Sequence, residues 1–576
     1  MHFFTRESSG RRYRVVAQSV WDAEAGRSVG RQVILGPADT PPTVDLASLR
    51  VVGQRAVGDV GALLWVAEQL DVVGCIDRAC GALGARGGPT IGEMVLAVAV
   101  QRACAPGSKR DLSGFLEDSL PRPSCLPAAA FTGQTFHRIA SQVAPESLDA
   151  AQLGLARAAV EQFELSTNVL AFDSTNFDTH IATTTAGELA RRGHAKSKRS
   201  DLRVVGLAVL ASEKGHVPLF HRTYAGNASD QSVLAGCLDD LGRLHDALDA
   251  GEGRSVPAER TLVRDGGFWS DQLELELDVV GYYSIISLPL SHSASAAALK
   301  HAAERGAMKR LGGALCEVRA CRVRTTVGEH DRTLVVVESR ELLEGQKRGI
   351  AAALVKATGE LRALEARVAK GKITRARLEQ RVKQALRHEH LSDFVVCEID
   401  GDEKAPTFRW HVDTARRRTL ERTRLGKRVI CTDRHSWRTE RIVHAFRGQW
   451  NVEELFRRTK KGGVVPWGPS FQWADASLRL HTFATVLGLM LVALAKIALG
   501  TTASPRTMMR ELAAIRATLV RPATQGLGRP VTYELPPAVS PVQAKAVRIF
   551  ELARWMPVLA ACRPARRKHS ANAEAA

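Results

Sequence analysis

Aromatic residues make up only 5% of this 576-residue chain. That scarcity argues against a stacked aromatic platform for nucleic-acid bases. Acidic residues are outnumbered as well: 61 Asp and Glu stand against 80 Lys and Arg, a formal net charge of +19. Long apolar runs are nearly missing. The start, MHFFTRESSGRRYRVV, has no apolar segment of the kind a secretory signal needs. The one tempting run, TFATVLGLMLVALA between His481 and Lys496, has fourteen uncharged residues, short of the roughly 20 of a spanning helix. A buried core helix is expected there, and no membrane partner. The ten cysteines are scattered, and the nearest pairs, Cys75/Cys80 and Cys316/Cys321, lack partner pairs at zinc-ribbon spacing. Reduced thiols in a cytoplasmic protein are the expectation. What remains is 45% hydrophobic and 24% charged, the balance of an ordinary globular chain of several domains. This excludes a disordered polymer, a collagen-like fibre and a small disulfide scaffold. The excess of base favours a polyanionic partner, usually nucleic acid.

Local pattern divides the chain further. Residues 1–45 alternate and predict a β-rich entry segment ending at Pro41-Pro42. From 46 to 165 the period is helical, as in Val60, Leu63, Leu64, Val66 and Leu70 or Ile91, Met94, Val95 and Val98. TGQTFHRIASQV, from Thr132 to Val143, reads as a short helix with His137 and Arg138 exposed. This region serves either as a DNA-end reader or as a packing domain, and no clean helix-turn-helix signature decides between them. The texture changes at Asn168. NVLAFDSTNF is an apolar run ending in Asp173, Val204–Leu210 and Val217–Tyr224 flank a hairpin turn, a helix is expected over 231–248, and TLVRD ends in Asp265 before YYSIISL. Three antiparallel strands, a helix and further strands predict a mixed α/β core over 166–300. Residues 301–400 read as an insertion. It has strands at 316–323 and 333–338 and a helical hairpin with a 4-3-4-3-4 seam of Ile350, Leu354, Ala357, Leu361, Leu364 and Val368, continued by Leu378, Val382 and Ala385. Strands at 393–398, 408–412 and 427–432 and a long helix over 439–461 predict a resumed core over 401–500. Residues 501–576 read as a helical C-terminal region with a basic tail.

A carboxylate at the end of a buried strand is costly unless it pairs or binds a cation. Asp173 and Asp265 both read this way. FRGQWNVEELFRRTK adds a third acid, Glu453, on a helix. Three carboxylates drawn from strand, strand and helix can hold two divalent cations roughly 3.5–4 Å apart for in-line attack on phosphorus.

In these motifs, AFDSTNF, VRDGG and FRGQWNVEELFRRTK, in that order, the chain resembles bacterial insertion-sequence transposases of the DDE class, in the Tyr-Arg-Glu-Lys signature group. The segments RRGHAKSKRSDLRVVGLAVL and PLFHRTYAGNASD and the insertion before the last Glu also look like that group, so the resemblance covers about 170–500. It implies an α/β fold with an RNase H-like mixed-sheet core, and Asp173, Asp265 and Glu453 as catalytic metal ligands separated by 92 and 188 residues. It implies Mg2+, with Mn2+ substituting, and double-stranded DNA as partner, both the element's terminal inverted repeats and the target. A homodimer assembled on DNA is the further expectation. Phe446 stands where the family has Tyr, and Gln449 where it has Arg, whereas Lys460 is at its expected place. Phe cannot donate a hydrogen bond and Gln brings an uncharged amide to a phosphate contact. Two alternatives therefore stay open: a metal-dependent nuclease on the same core, and an inactive DNA-end-binding regulator. The loop after the first Asp supplies candidate DNA contacts Arg191, Arg192, His194, Lys196, Lys198 and Arg199. Its bland reading is a solvated basic loop. If 446–460 is one helix, Phe446, Gln449, Glu453 and Lys460 fall within about 60° of arc, and Glu454 points about 100° away from Glu453.

Overall fold

Each of these patterns takes a definite form in a computed structural model of the protein. It describes residues 2–22, 27–38, 49–81, 87–251, 258–304, 306–388, 390–468, 470, 472–522, 533–535 and 539–555. In chain order, strands β1 (His2–Ser8), β2 (Arg11–Asp22), β3 (Arg27–Pro37) and β4 (Leu49–Ala56) come first. Six helices follow: α1 (Gly58–Gln69), α2 (Val72–Cys80), α3 (Ile91–Cys104), α4 (Leu112–Glu117), α5 (Gly133–Gln142) and α6 (Pro145–Phe163). Then come β5 (Val169–Thr179), β6 (Arg203–Ser212), β7 (Pro218–Ala225), α7 (Asp230–Gly251), β8 (Arg260–Arg264), α8 (Asp271–Val279), β9 (Tyr282–Leu288) and α9 (Ser293–Ala302). The middle of the chain forms β10 (Lys309–Arg310), β11 (Val318–Val327), β12 (His330–Ser339), α10 (Arg340–Ala369), α11 (Arg375–Ala385), α12 (Leu391–Phe394), β13 (Val395–Asp402), β14 (Ala405–Val412) and α13 (Thr414–Thr423). The last elements are β15 (Lys427–Thr432), α14 (Thr439–Arg447), α15 (Trp450–Thr459), α16 (Asp475–Leu499), α17 (Pro505–Ala513), β16 (Arg516–Pro522), β17 (Tyr533–Leu535) and α18 (Pro541–Ile549).

The chain divides into two units. The smaller takes its described residues from those up to Ala56 and from Ile515–Val539. It contains the antiparallel meander β1-β2-β3, as the alternation over 1–45 predicts, and a second sheet, β17-β16-β4. Two expectations are corrected here. Residues 49–56 are a strand, not the start of the helical region, and the C-terminal region is not purely helical, because β16 pairs antiparallel with β4. Each strand needs a partner from the far end of the chain, which a local window does not see. Pro41-Pro42 and residues 556–576, including the whole basic tail, lie outside the described residues.

The larger unit, Val57–Ala514 with Ser540–Trp555, is organised by a nine-stranded sheet in the order β10-β11-β12-β15-β9-β8-β5-β6-β7. β5, β6 and β7 form an antiparallel meander, β8 runs parallel to β5, and β9 runs parallel to β8. Val204–Ser212 of β6 are all buried, so this strand is apolar on both faces and both are covered. β11, β12 and β15 extend the sheet beyond β9. The strands expected to belong to an insertion are therefore part of the main sheet. The inserted body is α10 to α13 with the two-stranded β13-β14 hairpin, around its own core of Ile350, Ala357, Leu361, Leu364, Leu378, Val382, Phe394 and Phe408. The 4-3-4 seam is that core. β13 and β14, expected in the resumed core, close this body instead, and the main sheet resumes only at β15.

The apolar run near His481 is buried, as its length predicts, but α16 is 25 residues long and passes a length-and-composition test for a membrane span. It packs against α1, α3, α5, α6 and β7. Gly488 lets it approach α3: a Cβ there would lie 2.9 Å from the Ala99 carbonyl oxygen. The described cysteines are free thiols.

Candidate active site

β5 and β8 are parallel neighbours with Ala171 opposite Val263. Two residues further, the same register sets Asp173 beside Asp265. In-register partners on adjacent parallel strands point to the same face, roughly 4.8 Å apart at the backbone. The strand does not end at Asp173, as the apolar run suggests. β5 continues through six polar or aromatic residues to Thr179, because β6 offers a ladder along its whole length. Asp265 is the first residue past β8, ahead of a short 3-10 turn, and its carboxylate makes no hydrogen bond or ion pair among the described residues.

Burial pushes the Asp173 carboxyl up to about 6. Lys196 and the Ser174 N–H, 2.7 Å from Oδ1, oppose that rise, and the charges of Asp265 and Asp230 add to it. Asp230 escaped the sequence reading. It opens α7 and accepts the Ser174 hydroxyl at 2.7 Å, while a Cβ on Gly267 would lie 2.9 Å from its Oδ2. An Asp at a helix start reads as an ordinary N-terminal charge, so no local signal sets it apart. Tyr224 was missed for a similar reason. Its ring crosses the place where a Gly206 side chain would stand, and its hydroxyl donates to the Thr175 carbonyl at 3.3 Å. A larger residue at 206 would expel the ring.

The basic loop divides. Lys196 is exposed, yet its ammonium donates to the Ser174 carbonyl, beside Asp173. Arg199 is ion-paired with Asp201, and Arg191 donates to the Glu188 carbonyl at 3.2 Å. Arg192, His194 and Lys198 are exposed and make no side-chain hydrogen bond or ion pair among the described residues. Lys196 thus has a partner on β5 while remaining exposed, unlike Arg192, His194 and Lys198, which have none among the described residues.

The helix carrying Glu453 is broken. α14 stops at Arg447 and α15 begins at Trp450. Between them the backbone tightens into i→i−3 bonds: Gly448 N–H to Ala445, Gln449 N–H to Phe446 and Asn451 N–H to Gly448. Gly448 is the weak point, as a glycine inside a helix costs about 1 kcal/mol. The expected single face is therefore absent. Phe446 is buried under the Arg428 guanidinium and Gln449 is also buried, so neither presents itself to solvent. Lys460 is exposed just past the end of α15. The two glutamates do separate as the register implies. Glu454 pairs with Arg457 at 2.8 Å and lies 3.8 Å from Arg458, whereas Glu453 is exposed and its carboxylate has no partner among the described residues. α15 packs against β5 and β6. Glu453 is not among the charges that move Asp173. Among the described residues no group of three His, Cys, Asp or Glu side chains is arranged so that it could hold a metal ion. The carboxylates brought together are Asp173, Asp265 and Asp230. Their charges act on Asp173 together with that of Lys196, and their donor atoms are all oxygen, the kind a hard divalent cation prefers, although as placed they do not by themselves make a metal site.

No family model matches the chain. No curated protein matches it either. Among solved structures, the chain is similar to the cryo-EM structure of the piggyBac transposase synaptic complex with hairpin DNA, with a TM-score of 0.36 and 9% identity over 79% of each chain.

Proposed function

We propose that the protein is a DNA transposase of the DDE class with an RNase H-like core. In this reading it acts in the cytoplasm on the terminal inverted repeats of its own element, with double-stranded DNA as substrate and target, and it assembles as a homodimer on DNA. One observation carries the reading: Asp173 on β5 and Asp265, the first residue past its parallel neighbour β8, lie side by side in the centre of the run β7-β6-β5-β8-β9, an antiparallel meander continued by two parallel strands, which supports an RNase H-like core. The ordered motifs of the sequence support it independently.

Asp173 and Asp265 would hold Mg2+ or Mn2+, and Glu453 would complete the ligand set from α15. When bound, the metal supplies activation of a water or 3′-hydroxyl and neutralises charge on the leaving oxygen. The chain's own groups do the rest. Ser174 orients Asp230, Lys196 offsets part of the acidic charge before substrate arrives, and Tyr224 braces the Thr175 backbone. Arg192, His194, Lys198 and Lys460 present exposed donors to a DNA backbone.

The test is cleavage and strand transfer on duplexes bearing the sequences that flank the gene. Metal-dependent cleavage with joining of 3′ ends supports the reading, and its persistence in Asp173→Asn and Asp265→Asn overturns it. Cleavage without joining identifies a nuclease on the same core, and binding without cleavage identifies a DNA-end-binding regulator.

A further inference from the structure

The helical part of the larger unit buries two cations that no carboxylate pairs with among the described residues. Lys109 is 7% exposed and Arg102 is 1% exposed. The Arg102 guanidinium donates only to backbone carbonyls, those of Gly107 at 3.1 Å, Gly468 at 3.0 Å and Pro466, and its buried Nε has no partner. The Lys109 ammonium lies 2.6 Å from Nδ1 of His481 and above the Phe136 ring. His481 is fully buried, and its Nε2 is 2.8 Å from the Trp467 carbonyl oxygen. Nε2 must carry the proton that reaches this carbonyl, which leaves Nδ1 as acceptor and the ring neutral. Burial and the charge of Arg102 push the Lys109 ammonium well below its ordinary pKa, so its charged form is unfavourable here, and an anion from outside the protein would restore it.

A cavity of about 560 Å3 opens at this lysine, walled by Lys109, Arg110, Gly133, Gln134, His137 and Gln472 among others. Among the described residues no carboxylate lines it. Gln472 is only 3% exposed. Its Oε1 accepts the Ser470 hydroxyl, and its amide N–H groups have no acceptor among the described residues. Gly133 and Gln134 are the first two residues of α5. The Thr132 cap takes the Thr135 N–H and leaves theirs without an acceptor. The walls thus offer an ammonium, an amide, a guanidinium and two helix-end N–H groups. An anion with several acceptor oxygens satisfies such a set, and the volume exceeds that of a bare phosphate ion. A short packed path ties the cavity to the carboxylates. Phe177 lies four residues beyond Asp173 on the same face of β5, about 13 Å along the strand. Trp467 stacks on Phe177 at 4.7 Å, and His481 holds Trp467 by its carbonyl.

We propose that this cavity is a phosphate-binding site that takes a backbone phosphate of the DNA strand engaged at Asp173 and Asp265, an inference resting on the DNA reading above. Melting of the full chain is compared in sodium phosphate and in sodium chloride at equal ionic strength. Phosphate raises the Tm of the wild type, and Lys109→Met abolishes that rise. In chloride, Lys109→Met melts no lower than the wild type, because it removes an unanswered buried charge. Gln472→Leu, which keeps the lysine, also loses most of the phosphate-induced rise. On a DNA duplex, the log–log dependence of affinity on salt flattens by about 1 in Lys109→Met. A phosphate-induced rise that survives Lys109→Met and Gln472→Leu, or is absent from the wild type, overturns the site. A rise lost in both variants with an unchanged salt slope overturns the DNA assignment and leaves a free phosphate compound as the ligand. Asp173→Asn separates this from the activity: loss of cleavage with the phosphate effect intact supports both readings, and cleavage retained overturns the transposase reading alone.

Discussion

Asp173 and Asp433 are both pushed up to about 6 by burial, yet their surroundings answer the charge in opposite ways. Asp433 follows β15 and accepts the Ser284 N–H at 2.9 and 3.2 Å. Its acidic neighbours Glu274 and Asp278 are met by arginines: Arg264 bonds Glu274 at 2.7 Å, and Arg332 lies 3.9 Å from Glu274 and 3.7 Å from Asp278. The charge there is settled within the fold. Around Asp173 the nearby acids are Asp265 and Asp230, and the nearby cation is Lys196. An acid cluster neutralised by arginine is structural. The acids around Asp173 outnumber their cation, and the proposed metal ions would answer that excess.

The largest expected effect tests that division directly. Asp173→Asn or Asp265→Asn should lower metal-dependent DNA cleavage by about 10³-fold or more, since several kcal/mol of transition-state stabilisation go with the ligand. Their Tm should hold or rise, because like-charge repulsion is relieved. Glu274→Gln should do the reverse. Breaking the buried pair with Arg264 should cost roughly 3–5 kcal/mol in a denaturant melt and leave activity per folded molecule unchanged. Matching losses of activity in both regions at matched stability would collapse the comparison.

Glu453 and Glu454 sharpen it on one helix. Glu453→Gln should abolish cleavage while DNA-end binding survives. Glu454→Gln should retain most cleavage and lose at most about 1 kcal/mol of stability, as for a partly exposed ion pair. The opposite ranking would remove Glu453 from the site.

A third expectation concerns pH. The folded pKa of Asp433 lies above the ordinary value of about 3.9, so the folded state binds more protons in between. Its contribution is full below the unfolded pKa and is lost as pH rises through about 6. Asp433→Asn should therefore shrink the fall in Tm between pH 4.5 and 7, to be read by melting both proteins across that range.

The smallest effect lies in the basic loop. Arg192→Ala with Lys198→Ala should flatten the salt dependence of DNA binding by up to about 0.9 per residue. Arg199→Ala should change it less, because its guanidinium is already held by Asp201.

Much of this molecule is legible in its residues. Alternation marks β1–β3, and an apolar run bounded by a turn marks the β6–β7 hairpin. The 4-3-4 spacing from Ile350 to Val368 marks the seam around which the inserted body packs. These signals are local: periodicity reports which face of an element is apolar, and it needs no partner to be read. That Glu453 and Glu454 leave α15 in different directions is likewise a matter of local register. The break at Gly448 is not legible in the same way, since a glycine costs a helix only about 1 kcal/mol and tertiary packing decides whether it bends there.

What tertiary structure alone decided is pairing. No window of sequence says that Ala171 faces Val263 and so sets Asp173 beside Asp265, or that β4 finds β16. Nor does it say that Asp230 returns to Ser174, or that Lys196 bonds the Ser174 carbonyl while Lys198 makes no such bond. Strand register, the inward turn of a loop and the meeting of charges depend on contacts between segments far apart in the chain. Their free energy belongs to both partners together, so neither segment carries it alone.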